Sequence, residues 1–96
     1  MKARKTKQEL EVDLARFLAS LREARGLSQE SLGVQMGKGQ SNIAKIEGGH
    51  KKVSVLEMLE WLAALELPLS TIEDQLQNML VELSSGESLW KKDQHE

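Results

Sequence analysis

Apolar residues recur at three- and four-residue intervals in three long stretches of the chain, the spacing of a helix with one buried face. Leu10, Leu14, Phe17, Leu18 and Leu21 mark the first, over residues 7–25. Val55, Leu59, Leu62 and Leu65 mark the second, over 55–66, and Ile72, Leu76, Met79, Leu80 and Leu83 mark the third, over 71–84. Each stretch opens on a Ser/Thr-x-x-Glu signature: Thr6/Glu9, Ser54/Glu57 and Ser70/Glu73. In such a box the hydroxyl accepts from a first-turn N–H while the Glu reaches back to the cap's own N–H. Gly26 fits the left-handed position that ends a helix, and Pro68 breaks the chain after the second stretch. From Ser84 onward the periodicity is lost, so residues 85–96 read as a flexible tail.

Between Leu27 and Gly49 the sequence LSQESLGVQMGKGQSNIAKIEGG predicts two shorter helices joined by a turn. Ser28 caps the first, over 29–36, with Leu32 and Met36 one turn apart on its inner side. Gly37-Lys38-Gly39 forms the turn, and the second short helix runs from Gln40 to Glu47. Gly33 sits mid-helix at a cost of about 1 kcal/mol relative to Ala, which a close approach of the two backbones explains. At about 100° per residue, Ile43 and Ile46 mark the buried side of the second helix. Ser41 and Lys45 then point nearly opposite, Asn42 and Ala44 flank them, and Gln40 stands at the N-terminal end. The expected architecture is all-α, with five helices over residues 7–84, a basic arm at 1–6 and a tail at 85–96.

The 96 residues make one domain. The chain has no cysteine, which excludes disulfides and thiolate metal sites. One proline, one Phe and two Trp argue against an aromatic-rich β fold. Nothing approaches the roughly 20 apolar residues of a membrane span. The basic start leads into no apolar run of signal-peptide length, so a soluble, cytoplasmic protein is expected. The net charge of −2 hides an asymmetry: residues 1–52 carry eleven Lys/Arg against six Asp/Glu, residues 53–96 two against nine. Attraction to phosphate depends on local field, so the first half suits a polyanion that the total charge would repel. An enzyme is not expected, and neither a metal nor a cofactor. His50 and His95 lie in a loop and near the end, and no set of groups has metal-ligand spacing.

A short helix that is polar outside and held by two isoleucines suits insertion into the DNA major groove. Gln pairs with adenine, Lys donates to guanine, and Ser bonds to either. The same polarity fits the solvated side of a small core helix. Residues 28–47 settle the choice by resemblance. Leu27-Ser28-Gln29-Glu30-Ser31, Met36-Gly37-x-Gly39-Gln40-Ser41 and Ile46-Glu47-x-Gly49 resemble the helix-turn-helix of the lambda-repressor-like family, the Xre/Cro group of phage and bacterial regulators.

The resemblance implies that Gln40, Ser41, Lys45 and Asn42 read bases. It also implies that Ser28, Gln29, Lys38, His50, Lys51 and Lys52 meet phosphates, with Gln29 bracing Gln40. Lys2, Arg4 and Lys5 resemble the arm by which such proteins follow DNA. For the arm and for His50, plain solvation stays open. Arg22 and Glu47 resemble a structural ion pair. Glu47 lies roughly 40° from the direction of Ile43, so it should be partly buried and require such a partner. Trp61 belongs to the core or to a dimer interface. Lys38, at a turn position that relatives keep apolar, and Gly39, in place of a capping Ser or Thr, depart from the family pattern. The implied partners are double-stranded DNA and a second copy, paired through helix 71–84 by Leu76, Met79, Leu80 and Leu83. The alternative is an antitoxin, which would bind a toxin protein and repress its own operon.

Overall fold

The computed structural model describes residues 5–84, which form five helices and, among the described residues, no strand. They are α1 (Lys7–Ala24), α2 (Gln29–Met36), α3 (Gln40–Glu47), α4 (Val55–Leu65) and α5 (Ser70–Ser84). Residues 85–96, expected as a tail, lie outside the described part, as do Lys2 and Arg4.

Two of the three capping boxes form as expected. Thr6 Oγ1 accepts from Glu9 N at 3.0 Å while Glu9 Oε1 accepts from Thr6 N at 2.8 Å. Ser54 and Glu57 make the same reciprocal pair at 3.0 and 2.9 Å. Ser28 Oγ caps α2 by accepting from Ser31 N at 3.0 Å. The third box differs from expectation, because Ser70 is itself the first helical residue. Pro68 and Leu69 start α5 instead, their carbonyls accepting from Thr71 N and Ile72 N at 3.0 Å each. A proline suits that place, since a helix leaves its first N–H groups unpaired in any case. Helices α1 and α4 each stop one residue sooner than the sequence predicts, at Ala24 and Leu65. Gly26 follows the first with φ 76°, and Glu66 follows the second with φ 59°.

Every helix contributes a fully buried side chain to one core: Leu18 from α1, Leu32 from α2, Ile43 and Ile46 from α3, Trp61 from α4 and Ile72 from α5. The indole of Trp61 fills the centre, and its Nε1–H donates to Leu18 O at 3.0 Å. That bond satisfies the one polar atom which a buried tryptophan brings with it. Trp61 is therefore core. It also corrects the buried face of α4. The sequence pattern places Val55 and Leu59 inward, yet they are 70% and 43% exposed, while Met58, Trp61, Leu62 and Leu65 are buried. The helix is turned by roughly 50° from the expected stripe. Nearly every side of α4 is apolar, so the largest side chain decides which faces in.

At the turn between α2 and α3 the backbones themselves meet. A Cβ on Gly33 would lie 2.8 Å from the Lys38 carbonyl oxygen and 3.2 Å from the Gly39 carbonyl. Lys38 N donates to Gly33 O at 2.7 Å across the same gap. Gly37, with φ 71°, allows the chain to double back so tightly.

Charged groups hold the periphery. Arg22 Nε donates to Glu47 Oε2 at 2.6 Å and Nη2 to Oε1 at 3.0 Å, while Nη1 donates to Leu27 O at 2.7 Å. This fork fastens α1 to the end of α3. Arg25 fastens α1 to the end of α4, donating to Leu65 O at 2.9 Å and Glu66 O at 3.2 Å. Glu57, besides its cap, accepts from Lys51 Nζ at 2.8 Å and lies 3.7 Å from Lys38 Nζ. The Lys51 ammonium, the Ser54 N–H and, more weakly, Lys38 hold the Glu57 carboxyl below its ordinary range, against the opposing effect of burial.

Two outcomes follow. Gly33→Ala should lower the urea midpoint, because overpacking against backbone costs about 1–3 kcal/mol and exceeds the roughly 1 kcal/mol gained in helix propensity. A raised midpoint would mean that the turn relaxes freely. For Glu57, a depressed carboxyl makes the unfolded chain the better proton binder, so its contribution is complete above the ordinary carboxylate range near about pH 4.3. That contribution is lost as pH falls through the lower, folded value. Acid titrations of stability should therefore fall less steeply for Glu57→Gln than for the wild type, and equal slopes would show that Glu57 titrates alike in both states.

Candidate nucleic-acid interface

Helix α3 presents its polar side outward because Ile43 and Ile46 are fully buried on the other. All four expected base-reading residues lie on α3: Ser41 and Lys45 are exposed opposite the isoleucines, Gln40 is exposed at the N-terminal end, and Asn42 is half-buried. Gly39 caps the helix without any side-chain bond. Asn42 N donates to Gly39 O at 3.0 Å, which leaves the Gln40 and Ser41 N–H groups for solvent or an anion. At the other end, Lys45 O receives both His50 N, at 2.9 Å, and Lys51 N, at 3.2 Å. Gly49, with φ 79°, makes that return possible, and the His50 ring lies over Gly48, 3.0 Å from where a Cβ would stand.

A line of hydrogen bonds runs from the core to the tip of α3. The Glu47 carboxylate, gripped by Arg22, also accepts from Gln29 Nε2 at 2.9 Å. Gln29 Oε1 in turn accepts from Gln40 Nε2 at 2.8 Å. The expected bracing of Gln40 by Gln29 is present, and so is the Arg22–Glu47 pair, whose side chains are only 11% and 8% exposed. The bond between Glu47 and Gln29 carries no sequence signature, since it depends on how α2 and α3 cross. Ser28, Gln29, Lys38, Gly39 and Gln40 line one open groove with Arg22.

The expected phosphate-binding residues divide into two sets. Ser28, Gln29 and Lys38 border that groove, whereas His50, Lys51 and Lys52 follow α3. Their lysines are not equally free. Lys51 is bonded to Glu57, and Lys38 lies 3.7 Å from Glu57 and 3.9 Å from Glu60. Lys52, whose side chain is 85% exposed, stands 3.7 Å from Glu11. Of the arm, Lys5 is bonded to Asp13 at 2.6 Å, and the hydrogen bond together with the aspartate charge raises its pKa. Glu57 and Glu60 were not among the sequence candidates. The only hint of their role is the capping box that places Glu57 at the start of α4.

The four expected pairing residues all lie on α5 but are not equivalent. Leu80 and Leu83 are half-exposed, and Leu76 packs partly against the core. Met79 turns toward α1, where it shares a groove with Leu10 and Phe17. Leu69, just before α5, adds another exposed leucine on the side of Leu76 and Leu80.

Residues 13–74 match the helix-turn-helix domain family, well over half of the chain. The structure is similar to that of the restriction-modification controller protein C.AhdI from Aeromonas hydrophila, with a TM-score of 0.65 and 29% identity. That match covers 71% of this chain and 99% of the other. It is similar also to the clp gene regulator ClgR from C. glutamicum, with a TM-score of 0.65, 18% identity, and 81% and 96% of the two chains covered. A point variant of the restriction-modification controller protein C.Esp1396I gives a TM-score of 0.64 at 17% identity, covering 79% of this chain and 95% of that one. Likeness at these last two identities speaks for the fold alone. No curated protein matches the chain in sequence. With α2, the glycine turn and α3 inside the matched segment, the chain belongs to the helix-turn-helix domain family.

Proposed function

We propose that this helix-turn-helix protein is a sequence-specific DNA-binding transcription regulator, a cytoplasmic repressor that occupies a pseudo-palindromic operator as a homodimer. One observation carries the reading. Helix α3 is seated on the core by two fully buried isoleucines and presents Ser41 and Lys45 to solvent from its far side and Gln40 from its N-terminal end. Burying each isoleucine contributes about 1.5–3 kcal/mol, enough to hold so short a helix as a rigid reading head. The likeness, at 29% identity, to a restriction-modification controller protein supports a regulatory role. Direct readout of this kind uses hydrogen bonds and apolar contacts to base edges and calls for neither a cofactor nor catalysis.

For the dimer, α5 leaves Leu80 50% and Leu83 53% exposed, and Leu69, 56% exposed, borders the same groove as Leu80. A two-fold axis through such a patch buries it against its own copy. The pair then sets two α3 helices in successive major grooves about 34 Å apart.

Selection of bound duplexes from random DNA, with the mass of the complex measured, tests the whole reading. A palindromic consensus bound by two chains is expected; no enrichment at moderate salt would leave a protein-binding role such as toxin neutralisation. Gln40→Ala should lose preference at one base pair of each half-site, by about 1–3 kcal/mol. Unchanged selection by that variant would remove α3 as the reading helix. Leu80→Glu should shift the sedimenting species to one chain with its helical circular dichroism intact. A persistent two-chain species would place the interface elsewhere.

A further inference from the structure

We infer that Glu47 is a positioning residue for base selectivity: acting through Gln29, it fixes the order in which the Gln40 carboxamide offers its acceptor and its donor to DNA. The inference rests on the DNA-binding reading and adds to it a residue that touches no base.

The argument uses donor and acceptor chemistry alone. An ionised carboxylate only accepts. Glu47 Oε2 takes Arg22 Nε at 2.6 Å, and Oε1 takes both Arg22 Nη2 at 3.0 Å and Gln29 Nε2 at 2.9 Å. Gln29 must therefore turn its amide nitrogen inward, which leaves its carbonyl oxygen facing Gln40. Opposite that oxygen Gln40 has to place its own nitrogen, and the separation is 2.8 Å. What remains on Gln40 is one carbonyl oxygen and one N–H, in a fixed order. Adenine offers N6–H and N7 to such an edge. With the amide reversed, donor would face donor and acceptor would face acceptor.

Each link is directional because its inner end cannot turn. Glu47 is held by a two-pronged guanidinium, and both side chains are nearly withdrawn from water. A hydrogen bond to an ionised acceptor is about twice as strong as one between neutral groups, so the bond of Gln29 to Glu47 outranks any alternative for that amide. With a neutral carboxamide at residue 47, Gln29 could be met by either an oxygen or a nitrogen. Its two orientations would approach equal population, and Gln40 would follow.

The probe is the duplex enriched from random DNA by the wild type, with the base pair facing Gln40 varied through all four possibilities. The wild type should prefer adenine there by about tenfold or more. In Glu47→Gln, and separately in Gln29→Leu, which keeps the Arg22–Glu47 pair, that preference should fall to within about threefold. The double variant should lose no more than either single one, as for members of one chain of bonds. Salt dependence should not weaken in Glu47→Gln, since no cation that could meet a phosphate is removed. Without DNA, the side-chain amide signals of Gln29 and Gln40 in ¹⁵N spectra should move in Glu47→Gln while the backbone spectrum stays that of a folded chain. A folded Glu47→Gln with full adenine preference and unmoved amide signals would overturn the inference. Where Glu47→Gln does not fold, full preference in Gln29→Leu would overturn it equally. A wild type that enriches no duplex removes the DNA reading and this inference together; a selective wild type with selective variants removes this inference alone.

Discussion

A guanidinium taken out of water must be answered by acceptors on each side from which it donates, and Arg22 is so answered. Glu47 takes two of its bonds and the Leu27 carbonyl a third. Removing one partner of a pair this well buried leaves a bare charge, at a cost of about 3–5 kcal/mol. The whole stability of a domain is only about 5–15 kcal/mol. The pair therefore acts as a requirement on the fold. It spans 25 positions of sequence, from the last turn of α1 to the last residue of α3, and fixes where the end of α3 lies. The beginning of α3 is fixed differently, by the backbone contact between Gly33 and the Lys38–Gly39 turn. Ile43 and Ile46 secure the middle. A helix held at both ends and along its length has its position fixed, as the proposed reading of base edges requires.

Charge is distributed by a different logic. The basic first half of the chain predicts a positive surface, but α4 returns carboxylates to it. Glu57 holds Lys51 and stands near Lys38, so two cations of the expected phosphate set are already partly neutralised in the free protein. Phosphates that recruit these lysines compete with Glu57 for them. The gain from each contact is then the difference between two ion pairs. Lys52 is the more open of the three, and its exposed neighbour Glu11 contributes little at such a surface.

Much of the fold is legible in the sequence wherever a signal is local. Thr6, Ser28 and Ser54 announce helix starts because a hydroxyl at a set offset meets a free N–H. Gly33 announces a close contact because nothing else explains its place in a helix. Signals fail where the deciding partner is remote. The buried face of α4 was unreadable from periodicity, since Val55, Leu56, Met58, Leu59, Trp61 and Leu62 offer apolar character nearly all round. The carbonyl that receives the Trp61 N–H lies 43 residues away, where periodicity cannot show it. The Ser70 box failed for a local reason, because Pro68 supplies a start that suits its missing N–H and draws Ser70 inside the helix. At the site, the outward residues of α3 follow from the two isoleucines, and Arg22–Glu47 and Gln29–Gln40 follow from the family resemblance. The bond joining those two pairs, Gln29 to Glu47, spans 18 residues and becomes visible only when the crossing of α2 and α3 is known.

The division of α3 into a seated side and an open side bears on how such a protein can diverge. Ser41 and Lys45 make no described side-chain bond to the rest of the domain, so drift at these positions could explore new operators while the core stays intact. Gln40 has no such freedom, being the last link of a chain that ends in a buried charge. On the proposed reading, descendants of one ancestor would share the base met by Gln40 and differ around it. A genome could carry several of them side by side, each with its own targets, built on one unaltered scaffold.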